Sequence, residues 1–513
     1  MSCSLPIVVA TPAHSGLRGA LSWRSEEALA PGTLTRVPLG RREVLGVVWD
    51  APIAEAPTGA FEEKPVAGAL QGLRPLPHSW RQLVAFAAAY YQRGLGEVAL
   101  AALPPQLRDL DTTQLARRLK KKPAVAAPPA APAQAPVLSA QQAQALARIA
   151  AEPGPFLLFG ATGSGKTEVY LQAVERLLAE QPQAQALVMV PEINLTPQLL
   201  GRFIERFGEQ QVVPMHSGLT PAQRLRSWLQ AHEGHARIVL GTRMAVFASM
   251  PQLRLIVVDE EHDPSYKQQE GARYSARDLA IYRGRLENAR VVLGSATPSL
   301  ESWQASQTGR YARLEMPERV GAGALPRVRL VDMNHQPKRA LIAPPLLAAI
   351  GERIARGEQS LLFLNRRGYS PVLACTACEW KSDCPNCSAF RVFHKIDRTL
   401  RCHHCGYTER VPRACPDCGN VDIAPLVRGT EQLEEQLAEL LAEVQRPGDG
   451  EGERPARIVR MDADSTRGKG ALESQLAAVH AGDIDVLVGT QMITKGHDFR
   501  RITLVAAINP DTA

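Results

Sequence analysis

Gly160-Ala161-Thr162-Gly163-Ser164-Gly165-Lys166-Thr167 carries a glycine, four residues, then Gly-Lys-Thr. That spacing suits the grip of a phosphate chain. The glycines let the backbone wrap an anion with its N–H groups turned inward. A helix N-terminus behind the loop adds partial positive charge. Lys166 can reach the β- and γ-phosphates of ATP, and the Thr167 hydroxyl can hold Mg²⁺. A second acidic group stands at Asp259-Glu260-Glu261-His262. Asp259 is placed to hold Mg²⁺ through water, and Glu260 to orient or deprotonate the attacking water. The candidate catalytic residues are therefore Lys166, Asp259 and Glu260, and Gly160 to Thr167 form the candidate nucleotide cradle.

Tyr266, Lys267, Arg273, Tyr274 and Arg277 follow closely. Aromatic and basic residues interleaved in this way can stack bases and meet phosphates. The plainer reading is a surface loop with routine charges. Of nine cysteines, eight fall in four Cys-x-x-Cys pairs: Cys375/Cys378, Cys384/Cys387, Cys402/Cys405 and Cys415/Cys418. Each pair is a knuckle that presents two thiolates to tetrahedral zinc. Eight thiolates fill two Zn²⁺ sites, with no position left for water, so the sites are structural. The loop between Cys378 and Cys384 is too tight for both pairs to share one ion comfortably. Nesting is preferred, with outer pairs on one zinc and inner pairs on the other.

These groups need elements to hold them. Phe156-Leu157-Leu158-Phe159 reads as a buried strand before the phosphate loop, and Glu168 to Leu178 has a helical apolar period. Further strands end in polar or small residues: Leu187–Val190, Ile238–Leu240 before Gly241-Thr242-Arg243, Ile256–Val258 before Asp259, and Val291–Leu293 before Gly294. A parallel α/β sheet places ligands at the carboxyl ends of its strands, so these edges form one ligand face. A second α/β pattern begins near residue 345. It runs through Leu361–Leu364 into Asn365-Arg366-Arg367-Gly368, then Asp485–Val488 and Thr503–Ile508, with the cysteines between. Residues 5–49 read as short strands, and Trp80 to Tyr91 as a helix in which Tyr90 and Tyr91 pack into the core. Arg117, Arg118 and Lys120 to Lys122 form a basic run before an Ala/Pro-rich stretch to Pro136. That composition is a semi-stiff linker, with charges that can also brush phosphates.

The chain has 513 residues, too many for a single core. Its net charge of +7 favours a polyanionic partner. No apolar run is long enough to span a membrane, and no signal peptide is expected. Paired cysteines in such a chain point to metal in the cytoplasm. The expected fold is multidomain α/β. Residues 1–106 form a β-rich N-terminal domain and 107–137 the linker. A RecA-like, ATP-binding P-loop lobe follows at 138–315, then a second lobe at 316–370 and 425–513, interrupted by a zinc-binding insert at 371–424.

With these residues in view, the chain resembles the bacterial replication-restart helicases, the primosomal protein N′ (PriA) family of superfamily 2 DNA helicases. The marks are Gly160–Thr167, Val190-Pro191-Glu192-Ile193-Asn194-Leu195-Thr196-Pro197-Gln198 and the Asp259–His262 box. Gly294-Ser295-Ala296-Thr297-Pro298-Ser299, the cysteine spacing and Gly489-Thr490-Gln491-Met492-Ile493-Thr494-Lys495-Gly496-His497 complete the set. The resemblance implies an N-terminal domain that binds the 3′ end of a nascent strand at a fork. It implies unwinding 3′ to 5′ with ATP, and reloading of the replicative helicase with primosome proteins and single-stranded-DNA-binding protein. It also implies that the first and last cysteine pairs share a zinc, and that the loop 263–277 couples DNA to ATP hydrolysis. Three features depart from the family pattern. Gly19-Ala20-Leu21 stand where an Asp often serves the 3′-end pocket. The 107–137 stretch is too short for a winged helix. The chain reaches Ala513 before the family's late Arg-bearing motif. The second lobe is therefore expected to be incomplete, with a DNA-binding scaffold that unwinds little or nothing as the alternative function.

Overall fold

Runs of Val, Leu and Ile with both faces covered become parallel strands, because each face needs an apolar layer. The computed structural model describes residues 3–11, 19–50, 63–110, 114–115, 136–191, 196–320, 326–337, 342–364, 372–394, 398–402, 404–425, 430–447, 453–461, 471–489, 499 and 501–508. It divides into two compact units, Met1–Leu325 and Pro326–Ala513.

The first unit begins with an antiparallel sheet. Its strands are β1 (Cys3–Val9), β2 (Leu21–Ser25), β3 (Leu34–Leu39), β4 (Arg42–Val48) and β5 (Gly68–Ala69), in the order β2-β1-β4-β3-β5. The β3–β4 turn needs Gly40 at φ +65°. Helices His78–Tyr90 and Leu95–Ala101 follow.

The unit's larger sheet is wholly parallel. Its strands are β6 (Phe156–Gly160), β7 (Gln185–Met189), β8 (Val212–Met215), β9 (Ile238–Gly241), β10 (Leu253–Asp259), β11 (Arg290–Ser295) and β12 (Ala312–Met316). They lie in the order β12-β6-β11-β10-β7-β9-β8. The carboxyl ends of β6, β9, β10 and β11 therefore share one edge, which carries the phosphate loop, Thr242, Asp259 and Ser295. The sequence pattern had not marked β8 or β12, the two outer strands.

One apolar core joins the N-terminal segment to this sheet. Trp80 and Leu83 belong to the same buried cluster as Trp228 and Val246. The Trp80 indole N–H donates to the Phe247 carbonyl at 2.8 Å. His232 spans the same seam, with Nδ1 on Ser249 Oγ at 2.8 Å and Nε2 on the Arg74 carbonyl at 2.9 Å. The N-terminal segment and this sheet thus belong to one compact unit, Met1–Leu325. Tyr90 does not pack into the core as expected: it is 67% exposed.

In the second unit, four parallel strands lie in the order Ile458–Met461, Val486–Gly489, Gln359–Leu364, Ile502–Ile508. Both units use the same device at a strand start. Buried Gln185 donates to the Ala231 and Ala236 carbonyls, and buried Gln359 to those of Val479 and Ile484. The cysteine insert has a two-stranded ladder, Leu373–Cys375 with Ile423–Pro425, and a three-stranded one of Val392–His394, Thr399–Arg401 and Thr408–Arg410. Among the described residues, no helix is long and apolar enough to cross a membrane.

Candidate nucleotide site and zinc centres

β6 ends at Gly160, and the next helix, Lys166–Glu180, begins at the lysine. Gly163 and Gly165 turn the chain between them at φ +82° and +80°, conformations that glycine enters without strain. Lys166 Nζ donates to the carbonyls of Gly160 at 2.9 Å and Ala161 at 3.4 Å. Gln142 braces the loop from outside. It sits in a capping box with Ser139, and its amide faces the Ser164 and Gly165 carbonyls at 3.4 and 3.3 Å. Ser164 Oγ is buried with no hydrogen-bond partner among the described residues.

Asp259 closes β10 beside this loop. Its Oδ1 accepts from Tyr170 Oη at 2.9 Å, and its backbone carbonyl accepts from Tyr266 Oη at 2.7 Å. Burial first, and the Glu260 charge second, raise the Asp259 carboxyl from 3.8 to about 6, against the pull of the Tyr170 hydroxyl and Lys166. Burial holds the Tyr170 hydroxyl well above its ordinary value, so it remains a donor. Glu260 adopts φ +46°, an unusual conformation for a residue with a side chain. His262 Nδ1 lies 3.6 Å from Glu260 and 2.8 Å from Ser295 Oγ. Asp259, with its raised proton affinity, and the neighbouring Glu260, at the mouth of a loop that carries Lys166 and the orphaned Ser164 hydroxyl, fit Mg²⁺ and a polyphosphate.

Several working residues escaped the sequence reading. Glu261 is 1% exposed and takes bonds from the Ser299 N–H, the Ser299 and Ser302 hydroxyls and Arg277. It ties the acidic box to the Gly294–Ser299 turn. Gly294 is required by Tyr170, because a Cβ there would overlap the tyrosine hydroxyl. Gly294→Ala should therefore dislodge Tyr170 from Asp259 and cost about 1–3 kcal/mol of stability. Thermal or urea unfolding checks this, and an unchanged midpoint contradicts it.

The raised Asp259 value also sets a pH dependence. Its folded value lies above the ordinary one, so this group's contribution to stability is present below about 3.8 and is lost as pH rises through about 6. Metal-free protein should show that loss in melts between pH 4 and 7 (roughly the window of the shift). Asp259→Asn should remove it. Equal pH curves for the two proteins would contradict the assignment.

The expected DNA-coupling residues separate. Tyr266 is 2% exposed and belongs to the core, so its ring is not available to stack a base, contrary to the sequence expectation. Tyr274 is half-buried, edge-on to Phe247 at 5.0 Å, and burial pushes its hydroxyl up to about 12. Lys267 and Arg273 are exposed. Residues 192–195, 365–368 and 490–498, which include several of the family marks, lie outside the described residues, and so does the basic run at 117–122.

The cysteines gather into two sets, Cys375, Cys378, Cys415 and Cys418, and Cys384, Cys387, Cys402 and Cys405, each with its sulfurs within 4.8 Å of one another. The nested pairing is the observed one. Sulfur–sulfur distances of 3.4–3.5 Å between the two pairs within each set come near the edge of about 3.8 Å that a tetrahedron with Zn–S of about 2.3 Å requires. Both sets fit structural Zn²⁺.

Fold and site together define a P-loop helicase core. The DEAD/DEAH box helicase family model matches residues 139–305. A 3'DNA-binding domain (3'BD) model matches 6–104, and the PriA DNA helicase Cys-rich region (CRR) domain matches 384–410. The chain is 44% identical over 360 residues to the Replication restart protein PriA of Bacillus subtilis, covering 70% of this chain and 43% of that protein. It is 34% identical over 484 residues to that of Rickettsia felis, covering 94% and 70%. The chain belongs to the PriA family of replication restart proteins. It spans about half the length of relatives such as those of Bacillus subtilis and Haemophilus influenzae. Among solved structures, the DUF1998 helicase MrfA bound to DNA aligns at 15% identity and a TM-score of 0.45, over 72% of this chain and 44% of that one.

Proposed function

We propose that the chain is the ATP- and DNA-binding part of a replication-restart helicase, which moves 3′ to 5′ on DNA at stalled forks. The observation that carries this is the convergence of Lys166, Asp259 and Glu260 on one sheet edge, in a chain whose N-terminal segment matches a 3'DNA-binding domain. In this reading the phosphate-loop N–H groups and Lys166 hold the triphosphate, and Thr167 and Asp259 hold Mg²⁺. The Mg²⁺ neutralises phosphate charge. Glu260 orients the attacking water, with its side chain set by His262. His262 in turn reads the Gly294–Ser299 turn through Ser295. The two zinc ions stiffen the insert. The partners are forked and single-stranded DNA, with primosome proteins and single-stranded-DNA-binding protein in the bacterial cytoplasm. Membership of the replication restart family supports each of these.

The test is ATP hydrolysis with and without forked DNA. Stimulation by DNA is expected, with binding that weakens by a log–log slope of about −0.7 per phosphate contact for single strands. Hydrolysis indifferent to every DNA, or binding insensitive to salt, would overturn the reading.

A further inference from the structure

The loop from Asp263 to Arg277 is closed by an antiparallel bridge between Lys267 and Ser275. Its first half is tied to the nucleotide site. Tyr266 Oη holds the Asp259 carbonyl at 2.7 Å. Arg243, just beyond β9, donates to the carbonyls of Ser265 and Lys267 at 2.8 and 2.9 Å. The closing bridge itself meets one side chain from far earlier in the chain. The Ser275 N–H donates to Tyr91 Oη at 3.0 Å, and Lys267 Nζ lies 5.2 Å from the centre of the same ring.

Tyr91 is well placed for this contact. It caps the helix His78–Tyr90, whose N–H at the cap bonds back to Ala87. That helix is locked against the lobe by Phe86, stacked on Tyr282 at 3.8 Å between ring centres, and by the Trp80–Phe247 bond. The helix is also part of the residues 6–104 that match a 3'DNA-binding domain. One tyrosine thus grips both ends of the bridge that closes a loop anchored on the Mg²⁺-ligand candidate.

We infer that Tyr91 is a positioning residue through which the N-terminal segment sets the Lys267–Ser275 bridge and, by way of Tyr266, the Asp259 backbone, so that DNA and nucleotide affinities depend on each other. This rests on the functional reading above. A change in the N-terminal segment that shifts Tyr91 pulls on Ser275 and Lys267 together. The pull reaches Asp259 through a short, buried hydroxyl contact rather than through a flexible chain. Linkage makes such coupling reciprocal: DNA changes nucleotide affinity by the same factor that nucleotide changes DNA affinity.

The experiment measures the dissociation constant of a fluorescent, non-hydrolysable ATP analogue with and without saturating single-stranded DNA, using the whole chain. Wild type should show a ratio within the usual coupling range of about 5–150-fold. Tyr91→Ala should bring the ratio to within about twofold of one, while the separate affinities for analogue and DNA stay near wild type. Tyr91→Phe keeps the ring beneath Lys267 but loses the acceptor for Ser275, so its ratio should fall between the two. A purely structural brace would instead lower the melting temperature and weaken both affinities, leaving the ratio unchanged. Coupling in wild type that survives in both variants overturns the role of Tyr91 and leaves the functional reading standing. A wild-type ratio of one also overturns it. A chain that binds neither analogue nor DNA overturns the functional reading itself.

Discussion

Lys166→Ala should lower ATP hydrolysis by about 10²–10³-fold, the usual loss when one preorganised charge donor is removed from a reacting oxyanion. DNA binding should remain near wild type. The geometry separates the two effects. Lys166 stands at the start of its helix, and its ammonium lies on the loop carbonyls of Gly160 and Ala161. Both are part of the proposed nucleotide cradle. The loop has independent support from Gln142, from the Ala161 N–H on the Met316 carbonyl at 3.1 Å, and from the Val320 N–H on the Gly163 carbonyl at 2.9 Å. Losing the lysine should therefore leave the loop folded while removing the charge proposed to meet the β- and γ-phosphates. Steady-state hydrolysis and fork-DNA anisotropy on the same preparation check this. Equal loss of both activities would mean that Lys166 serves the fold or the DNA instead.

What the sequence revealed divides along a physical line. Strand, glycine turn and helix at 156–180 are local, so the apolar run and the glycine spacing were enough to place them. The shared edge followed from the same logic, because parallel strands that end in polar residues align their carboxyl ends. The outer strands were hidden for opposite reasons. β8 contains Pro214, which argues against a strand, and only its edge position tolerates it. β12 reads Ala-Arg-Leu-Glu-Met, a weak and half-polar run that an edge can accept. The site's finer wiring was not legible. The Tyr170–Asp259–Gly294 arrangement brings together three elements far apart in sequence, and nothing local marks it. Tyr266 and Lys267 are neighbours of similar promise on paper, yet one is buried and the other exposed. Only tertiary packing decides which ring faces the core. Tyr90 and Tyr91 divide as well: Tyr90 is solvent-facing, whereas Tyr91 packs against the buried cluster as expected and also bonds to the loop at Ser275.

Removing zinc should unfold the cysteine insert while nucleotide binding by the first unit persists. Strands of three residues form each ladder of the insert. Few apolar side chains are buried there, Leu373, Ala374 and Leu400 among them. So little apolar area cannot offset the chain entropy lost on folding. Structural zinc can, with apparent binding free energies of about 10–16 kcal/mol at such sites. The nested arrangement makes a sharper claim than the metal count alone. Cys402→Ser should lose the ion held by Cys384, Cys387, Cys402 and Cys405, and keep the one held by the outer pairs. Adding Cys384→Ser strikes the same set, so one zinc should still remain. Had consecutive pairs shared each metal, that double variant would damage both sites and leave none. Metal analysis of the purified variants reads the difference directly, and amide exchange across 372–425 reports which part of the insert loosens. Loss of both ions in the double variant would reject the nested pairing. Undiminished amide protection in metal-free protein would reject zinc as what holds the insert together.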